Sequence, residues 1–321
     1  MENDPTEVHF PGGMKMTMKV DWMRGCATAL VTPFTAAGAI DEDRLRALVD
    51  RQITGGVRLL VPCGTTGESA TMTEPEDQRV IAITVEVARG RAKVIAGTGS
   101  NSTASAIEYS KRARDVGADA MLQVAPWYNK PTQEGLYAHF RAIAEAIPET
   151  PIMLYNVPGR TSSNIAAQTV LRLAKDCENI VAVKEASGDL TQIMRILRER
   201  PANFCVLSGD DAVTLPLIAL GAEGIVSVAS NEIPELMSRM TELALDGNWA
   251  EARALHYRIL PLMEINFIES SPGPVKAAMA MMGLLEENFR LPLVPIQESS
   301  RARIRQVITE LGLLESARAT A

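Results

Sequence analysis

"IVAVKEASGD", residues 180–189, opens on four apolar residues and then puts Lys184 in fifth place. A short run of this kind is the pattern of a strand buried on both faces. A buried ammonium is costly unless it is paired or neutral. Glu185 is a poor partner, because adjacent residues of a strand point to opposite faces. An unperturbed lysine, with a pKa of ~10.4, is neutral in about one molecule in 2,500 at pH 7, and burial favours the neutral form. The stretch therefore reads as a buried strand that carries an amine nucleophile, suited to forming a Schiff base with a carbonyl carbon. Lys93 begins its own run and so belongs at the opposite rim, in a structural role.

Seven further runs share this character: "CATALVTPF" (26–34), "RLLVPCG" (58–64), "KVIAGTG" (93–99), "AMLQVAP" (120–126), "IMLYNVP" (152–158), "FCVLSGD" (204–210) and "GIVSVAS" (224–230). Helical patterns separate them. Asp41 caps a helix with Leu45, Leu48, Val49 and Ile53 on one face, and Gly55 ends it. Thr73 and Glu76 form a capping box before Val80, Ile81 and Val85, and Gly90 ends that helix. Eight β-then-α units predict a (β/α)₈ TIM barrel over residues 22–247. A doubly wound open sheet is the alternative. Its common forms have fewer strands and often a GxGxxG fingerprint, which "GTGSNS" (97–102) does not complete. Residues 248–321 show three helical patterns, "WAEARALHYRILPLMEINFIES", "PVKAAMAMMGLL" and "ESSRARIRQVITELGLL", and predict a helical region for packing or oligomerisation. Residues 1–21 read as a loose N-terminal extension without the apolar core of a secretory signal.

The 321 residues are 46% hydrophobic and 22% charged, the composition of an ordinary globular protein. A net charge of −7 argues against nucleic acid and anionic membrane as partners, and no apolar stretch is long enough to span a bilayer. Cys26, Cys63, Cys177 and Cys205 lack CxxC spacing and read as reduced core residues of a cytoplasmic protein. Cys63 borders a Gly-rich loop, but buried cysteines are usually inert. His9, His139 and His256 form no HxH or HExxH, so no metal site is predicted.

In a barrel of this kind the active site lies at the C-terminal ends of the strands. Those ends collect Thr65, Thr66, Tyr128, Tyr155, Arg160, Lys184 and Gly209. Taken singly, most of them have a plain structural reading as turn residues, satisfied core tyrosines or surface ion pairs. Schiff-base chemistry also needs proton shuttles. Tyr155 ends the preceding strand, and Thr65 and Tyr128 can extend a hydroxyl relay. "GTTGES" (64–69) is either an ordinary βα turn or a Gly-rich turn whose backbone N–H groups hold a carboxylate. With no GK[ST] following, it is not a P-loop.

"GTTGES", "PWYNKPTQEGLY", "LYNVPGRT", "VKEASGD" and "SGDD", in this order and spacing, resemble the dihydrodipicolinate synthase family. The resemblance runs from Gly25 to Leu314 and includes "PVKAAM" and "FRLPLVPI" in the helical tail. The wider superfamily of N-acetylneuraminate lyase and other pyruvate-dependent aldolases shares the lysine and the tyrosine. The doubled Thr65-Thr66 and Arg160 favour the synthase.

The resemblance implies an imine of pyruvate on Lys184, then an enamine that attacks L-aspartate 4-semialdehyde, with no cofactor. The product is 4-hydroxy-tetrahydrodipicolinate, in lysine and diaminopimelate biosynthesis. It further implies a relay of Tyr155, Thr65 and Tyr128, with Tyr128 reaching in from a neighbouring subunit of a homodimer or homotetramer. Thr66 would hold the pyruvyl carboxylate and Arg160 that of the semialdehyde, while Gly209 and Val226 would line the site. The chain departs from the family pattern at Ser271, which stands where asparagine is usual, outside the relay. Ser69, Glu74, Asp77, Asn101, Ser105 and Trp127 correspond to the lysine effector site of feedback-sensitive relatives. Ser105 replaces a glutamate there and Trp127 a tyrosine. An aldolase for another aldehyde and a non-catalytic sensor barrel are the competing readings.

Overall fold

The eight apolar runs form eight parallel strands in the computed structural model, which describes residues 20–314. They are β1 (Gly25–Ala29), β2 (Leu59–Val61), β3 (Lys93–Gly97), β4 (Ala120–Val124), β5 (Ile152–Asn156), β6 (Ile180–Glu185), β7 (Cys205–Ser208) and β8 (Gly224–Ser227). Each pairs with the next, and β8 returns to β1, so the sheet closes into the predicted barrel. Two glycines face each other at the closing seam, where Gly25 is in register with Gly224. A Cβ on Gly224 would fall 2.0 Å from the Gly25 carbonyl oxygen, so only glycine lets the strands meet there. The expected extension, residues 1–21, lies outside the described residues except for Val20 and Asp21, as does His9.

The strands stop earlier than their apolar runs. Pro33, Pro62, Pro126 and Pro158 follow β1, β2, β4 and β5 at this rim, and proline has no N–H to continue a ladder. The apolar residues beyond the strands build the loops instead.

The helices are α1 (Glu42–Thr54), α2 (Glu74–Ala88), α3 (Thr103–Asp115), α4 (Gln133–Ala146), α5 (Pro158–Thr161), α6 (Ala167–Asp176), α7 (Leu190–Glu199), α8 (Thr214–Ala219) and α9 (Pro234–Leu245). Asp41 caps α1 by accepting from the Arg44 N–H at 3.1 Å. The Thr73–Glu76 capping box opens α2. That helix ends one residue before the expected glycine: Arg89 itself takes the left-handed turn, at φ +45°. Three more helices follow the barrel, α10 (Trp249–Ile265), α11 (Gly273–Met281) and α12 (Glu298–Glu310).

Alternation along the strands separates an inner from an outer core. Ala27, Leu59, Ile95, Leu122, Met153, Tyr155, Ala182, Leu207 and Val226 pack together inside the barrel. Leu60, Val94, Met121, Leu154, Val183, Val206 and Ile225 face the helices. On β6 this parity sends Lys184 inward with Ala182.

Candidate active site

Lys184 is buried near the C-terminal end of β6 and is in register with Tyr155 on one side and Leu207 on the other. Its Nζ stands 4.2 Å from the centroid of the Tyr155 ring. Among the described residues it makes no ion pair and no hydrogen bond. Glu185 points the other way, as the strand period requires. It accepts from Asn156 Nδ2 at 3.0 Å, from the Ser187 N–H at 3.0 Å and from Gln192 Nε2 at 3.2 Å. Burial raises its pKa, and these hydrogen bonds oppose the rise.

Gly209 follows β7 and makes room for the lysine stem. A Cβ there would lie 2.7 Å from Ala186 Cβ and 3.1 Å from Lys184 Cε. Val226 contributes to the inner wall on β8, in register with Ala27.

The turn after β2 carries Thr65 and Thr66, the first exposed and the second buried. Gly67 N–H donates to the Gly64 carbonyl and Glu68 N–H to the Thr65 carbonyl, each at 3.1 Å. The N–H groups and hydroxyls of Thr65 and Thr66 find no partner among the described residues. Donors left free in this way suit a carboxylate.

Tyr128 and Arg160 are exposed, whereas Lys184 and Tyr155 are buried. Tyr128 is 89% exposed and holds φ +72°. Its loop is pinned rather than loose: Asn129 Nδ2 donates to the Asn101 carbonyl at 2.9 Å, and Asn101 Nδ2 to the Trp127 carbonyl at 3.3 Å. Arg160 lies exposed on the single turn of α5, which the sequence pattern did not suggest, and its guanidinium has no partner among the described residues. Among the described residues no hydrogen bond joins the hydroxyls of Tyr155, Thr65 and Tyr128.

The six positions of the expected effector site lie on the turn after β2, the start of α2, the β3–α3 loop with the start of α3, and the loop after β4. Glu74 pairs with Arg112. Asp77 is pushed up to about 7, chiefly by burial, and its Oδ1 is buried without a partner. Cys63 donates to the Asp77 carbonyl at 3.4 Å, and burial holds its thiol well above the usual range, which makes it unreactive. All four cysteines are buried and free. Lys93 pairs with Asp119 at 2.7 Å at the far rim, as expected.

Three buried acids escaped the sequence reading, among them Glu232, which accepts from Asn266 Nδ2 at 2.6 Å. Asp211 accepts from the N–H groups of Val228 and Ala229, both at 3.0 Å, and so ties the β7 and β8 loops together. Glu68 pairs with Lys276 of α11. The available signal was a lone lysine in the apolar run "PVKAAMAMM", the same signal that marked Lys184.

Residues 22–311 match the Dihydrodipicolinate synthetase family. The chain belongs to that family. A 4-hydroxy-tetrahydrodipicolinate synthase of Koribacter versatilis is 55% identical over 92% of this chain and 98% of its own. Among solved family structures, a chloride-inhibited dihydrodipicolinate synthase of Acinetobacter baumannii complexed with pyruvate is 43% identical, with a TM-score of 0.89 over 91% of this chain and 99% of that one. A family structure from Cyanidioschyzon merolae with lysine bound is 45% identical, also with a TM-score of 0.89 over 91% and 99%.

Proposed function

We propose that the chain condenses pyruvate with L-aspartate 4-semialdehyde to give 4-hydroxy-tetrahydrodipicolinate, in lysine and diaminopimelate biosynthesis. The observation that carries this reading is Lys184, an amine with no ion pair among the described residues, inside a barrel of this family, beside Tyr155 and next to the gap left by Gly209. Its amine attacks C2 of pyruvate. The carbinolamine loses water to leave an imine, and loss of a C3 proton gives the enamine. That carbon attacks the aldehyde carbon of the semialdehyde, and the new alkoxide takes a proton. The amino group of the semialdehyde portion then displaces Lys184 from C2, which closes the ring and frees the lysine.

Tyr155 is the first proton carrier, because its ring is in contact range of the amine. Thr65 and Tyr128 extend the relay. The turn at Thr65–Thr66 offers unpaired donors to the pyruvyl carboxylate. Arg160 serves the carboxylate of the semialdehyde, which a guanidinium grips bidentately. Tyr128 acts on the site of a second copy, in a homodimer or homotetramer: it is exposed, yet held on a hydrogen-bonded loop. No helix among the described residues is long and apolar enough to cross a membrane. We assign the enzyme to the cytoplasm, where four free thiols stay reduced.

Borohydride added with pyruvate tests the reading. It should inactivate the protein and leave a reduced pyruvyl adduct on Lys184. A coupled assay with aspartate semialdehyde, run against a panel of sugar aldehydes, tests the second substrate. An adduct elsewhere, or faster turnover of a sugar aldehyde, overturns the respective half.

A further inference from the structure

The turn that carries Thr65 and Thr66 has few constraints of its own, but Glu68 holds it from below. Glu68 adopts φ +57°, a left-handed conformation that a glutamate seldom takes. Its Oε1 lies 2.6 Å from Lys276 Nζ. Both residues are almost fully buried, at 2% and 0% exposure. They are 208 residues apart in the chain.

Three oxygens surround the ammonium. Besides Glu68 Oε1 it donates to the Asn288 carbonyl at 2.6 Å and the Thr32 carbonyl at 3.2 Å. The rings of Phe34 and Phe289 flank it, with centroids 4.7 and 4.8 Å away. Thr32, on the loop after β1, donates its own hydroxyl to the Gly67 carbonyl at 2.7 Å. One buried ammonium thus joins α11, the segment before Arg290, the β1 loop and the β2 loop.

Stability does not explain this arrangement. A buried ion pair is desolvated on both sides, and apolar replacements of similar volume are often as stable. Here Glu68 Oε2 is buried with no partner among the described residues, which adds to the cost. What the pair supplies is direction: three donors and three acceptors admit one placement of the loop.

We propose that Lys276 is a positioning residue for pyruvate, fixing through Glu68 the Thr65–Thr66 turn above Lys184. This rests on the reading that the turn holds the pyruvyl carboxylate. The helices after the barrel then set the geometry of a loop on its catalytic rim, in addition to any packing role.

The test removes both charges at once, in Lys276→Met with Glu68→Gln, so that neither is left buried alone. Thermal melting reports folding. The pyruvate concentration that half-saturates borohydride trapping reports the turn, and the KM for the aldehyde reports the rest of the site. The expected result is a folded protein that needs about ten- to a hundredfold more pyruvate, the scale of a 1 Å misplacement, with the aldehyde KM unchanged. A folded protein with the parental pyruvate response overturns the proposal. Should the pair not fold, Glu68→Gln alone, which keeps an acceptor for the ammonium, is read in the same way. Thr66→Val separates the two layers of the argument. If it weakens pyruvate trapping while the Lys276 pair does not, only the positioning role falls. If it leaves trapping unchanged, the turn is not the pyruvate site and both readings fall.

Discussion

Replacing Gly209 by alanine is the smallest change that reaches the nucleophile. The added methyl would lie 2.7 Å from Ala186 Cβ, 3.1 Å from Lys184 Cε and 3.2 Å from the Glu185 carbonyl oxygen. Carbon atoms prefer about 3.5–4.0 Å, so the first contact must open by roughly 1 Å and the second by several tenths. The backbone on both sides resists. Gly209 N–H donates to the Glu185 carbonyl at 2.8 Å, and Ala186 N–H to the Asn156 carbonyl at 2.9 Å. The soft element is the lysine stem, which swings away.

Overpacking of this kind costs about 1–3 kcal/mol. At about 2 °C per kcal/mol for a large domain, Gly209→Ala should melt about 2–6 °C lower than its parent. The chemistry should suffer far more, because an amine displaced by up to 1 Å from its attack position loses about a hundredfold in rate. The assay is the first-order rate of borohydride trapping at saturating pyruvate, measured well below the melting transition. Parental trapping with a lowered melting temperature would show that the stem tolerates the methyl and that Gly209 has no hold on the nucleophile.

Arg160→Ala should sharply raise the KM for aspartate semialdehyde while imine formation with pyruvate persists; equal loss of both points to a structural arginine. Mixing Tyr128→Phe with Lys184→Ala subunits should restore activity, since one site of a mixed dimer regains both groups, and no recovery in verified mixed dimers refutes exchange of the tyrosine. Asp77 has a folded pKa raised to about 7, so the folded state binds the extra proton and stability falls as pH rises from the unfolded value of ~3.9 through 7. Asp77→Asn should therefore raise the melting temperature more at pH 8 than at pH 5, and an equal gain at both would refute the burial argument. L-Lysine should inhibit weakly: Ser105 and Trp127 lack the groups that would anchor an amino acid's charges, and Glu74 is already paired with Arg112. Half-inhibition below about 0.1 mM, roughly −5.5 kcal/mol, would refute that reading.

The barrel was legible because parallel strands buried on both faces leave a continuous apolar signal. All eight were found in place, and the capping residues Asp41 and Thr73 marked their helices correctly. The ends were less legible. An apolar run continues past its strand wherever the following loop is also buried, so Leu30, Val31 and Phe34 looked like strand and are loop. The single turn of α5 was missed because four residues are too few to show a period. Lys184, Tyr155 and Gly209 were brought together as strand-end logic suggests. Tyr128 lies on a loop and Arg160 on the short α5, neither of whose course the strand pattern determines.

Lys184 and Lys276 show where sequence reading stops. Each is a lone lysine in an apolar run, and each is buried inside the fold. For Lys184 the chain nearby offers only Glu185, and the strand period turns that carboxylate outward. For Lys276 the decisive partner, Glu68, is 208 residues away, and the other two acceptors are backbone carbonyls with no signature in a sequence. Three acceptors engage the three protons that an ammonium carries, and an ammonium has no lone pair to offer, so Lys276 suits a strut. An amine that no acceptor holds by its protons can turn its nitrogen toward a carbonyl carbon, so Lys184 suits a nucleophile. The residue type is the same in both runs; among the described residues three acceptors hydrogen-bond Lys276 and none Lys184, which separates a strut from the proposed nucleophile.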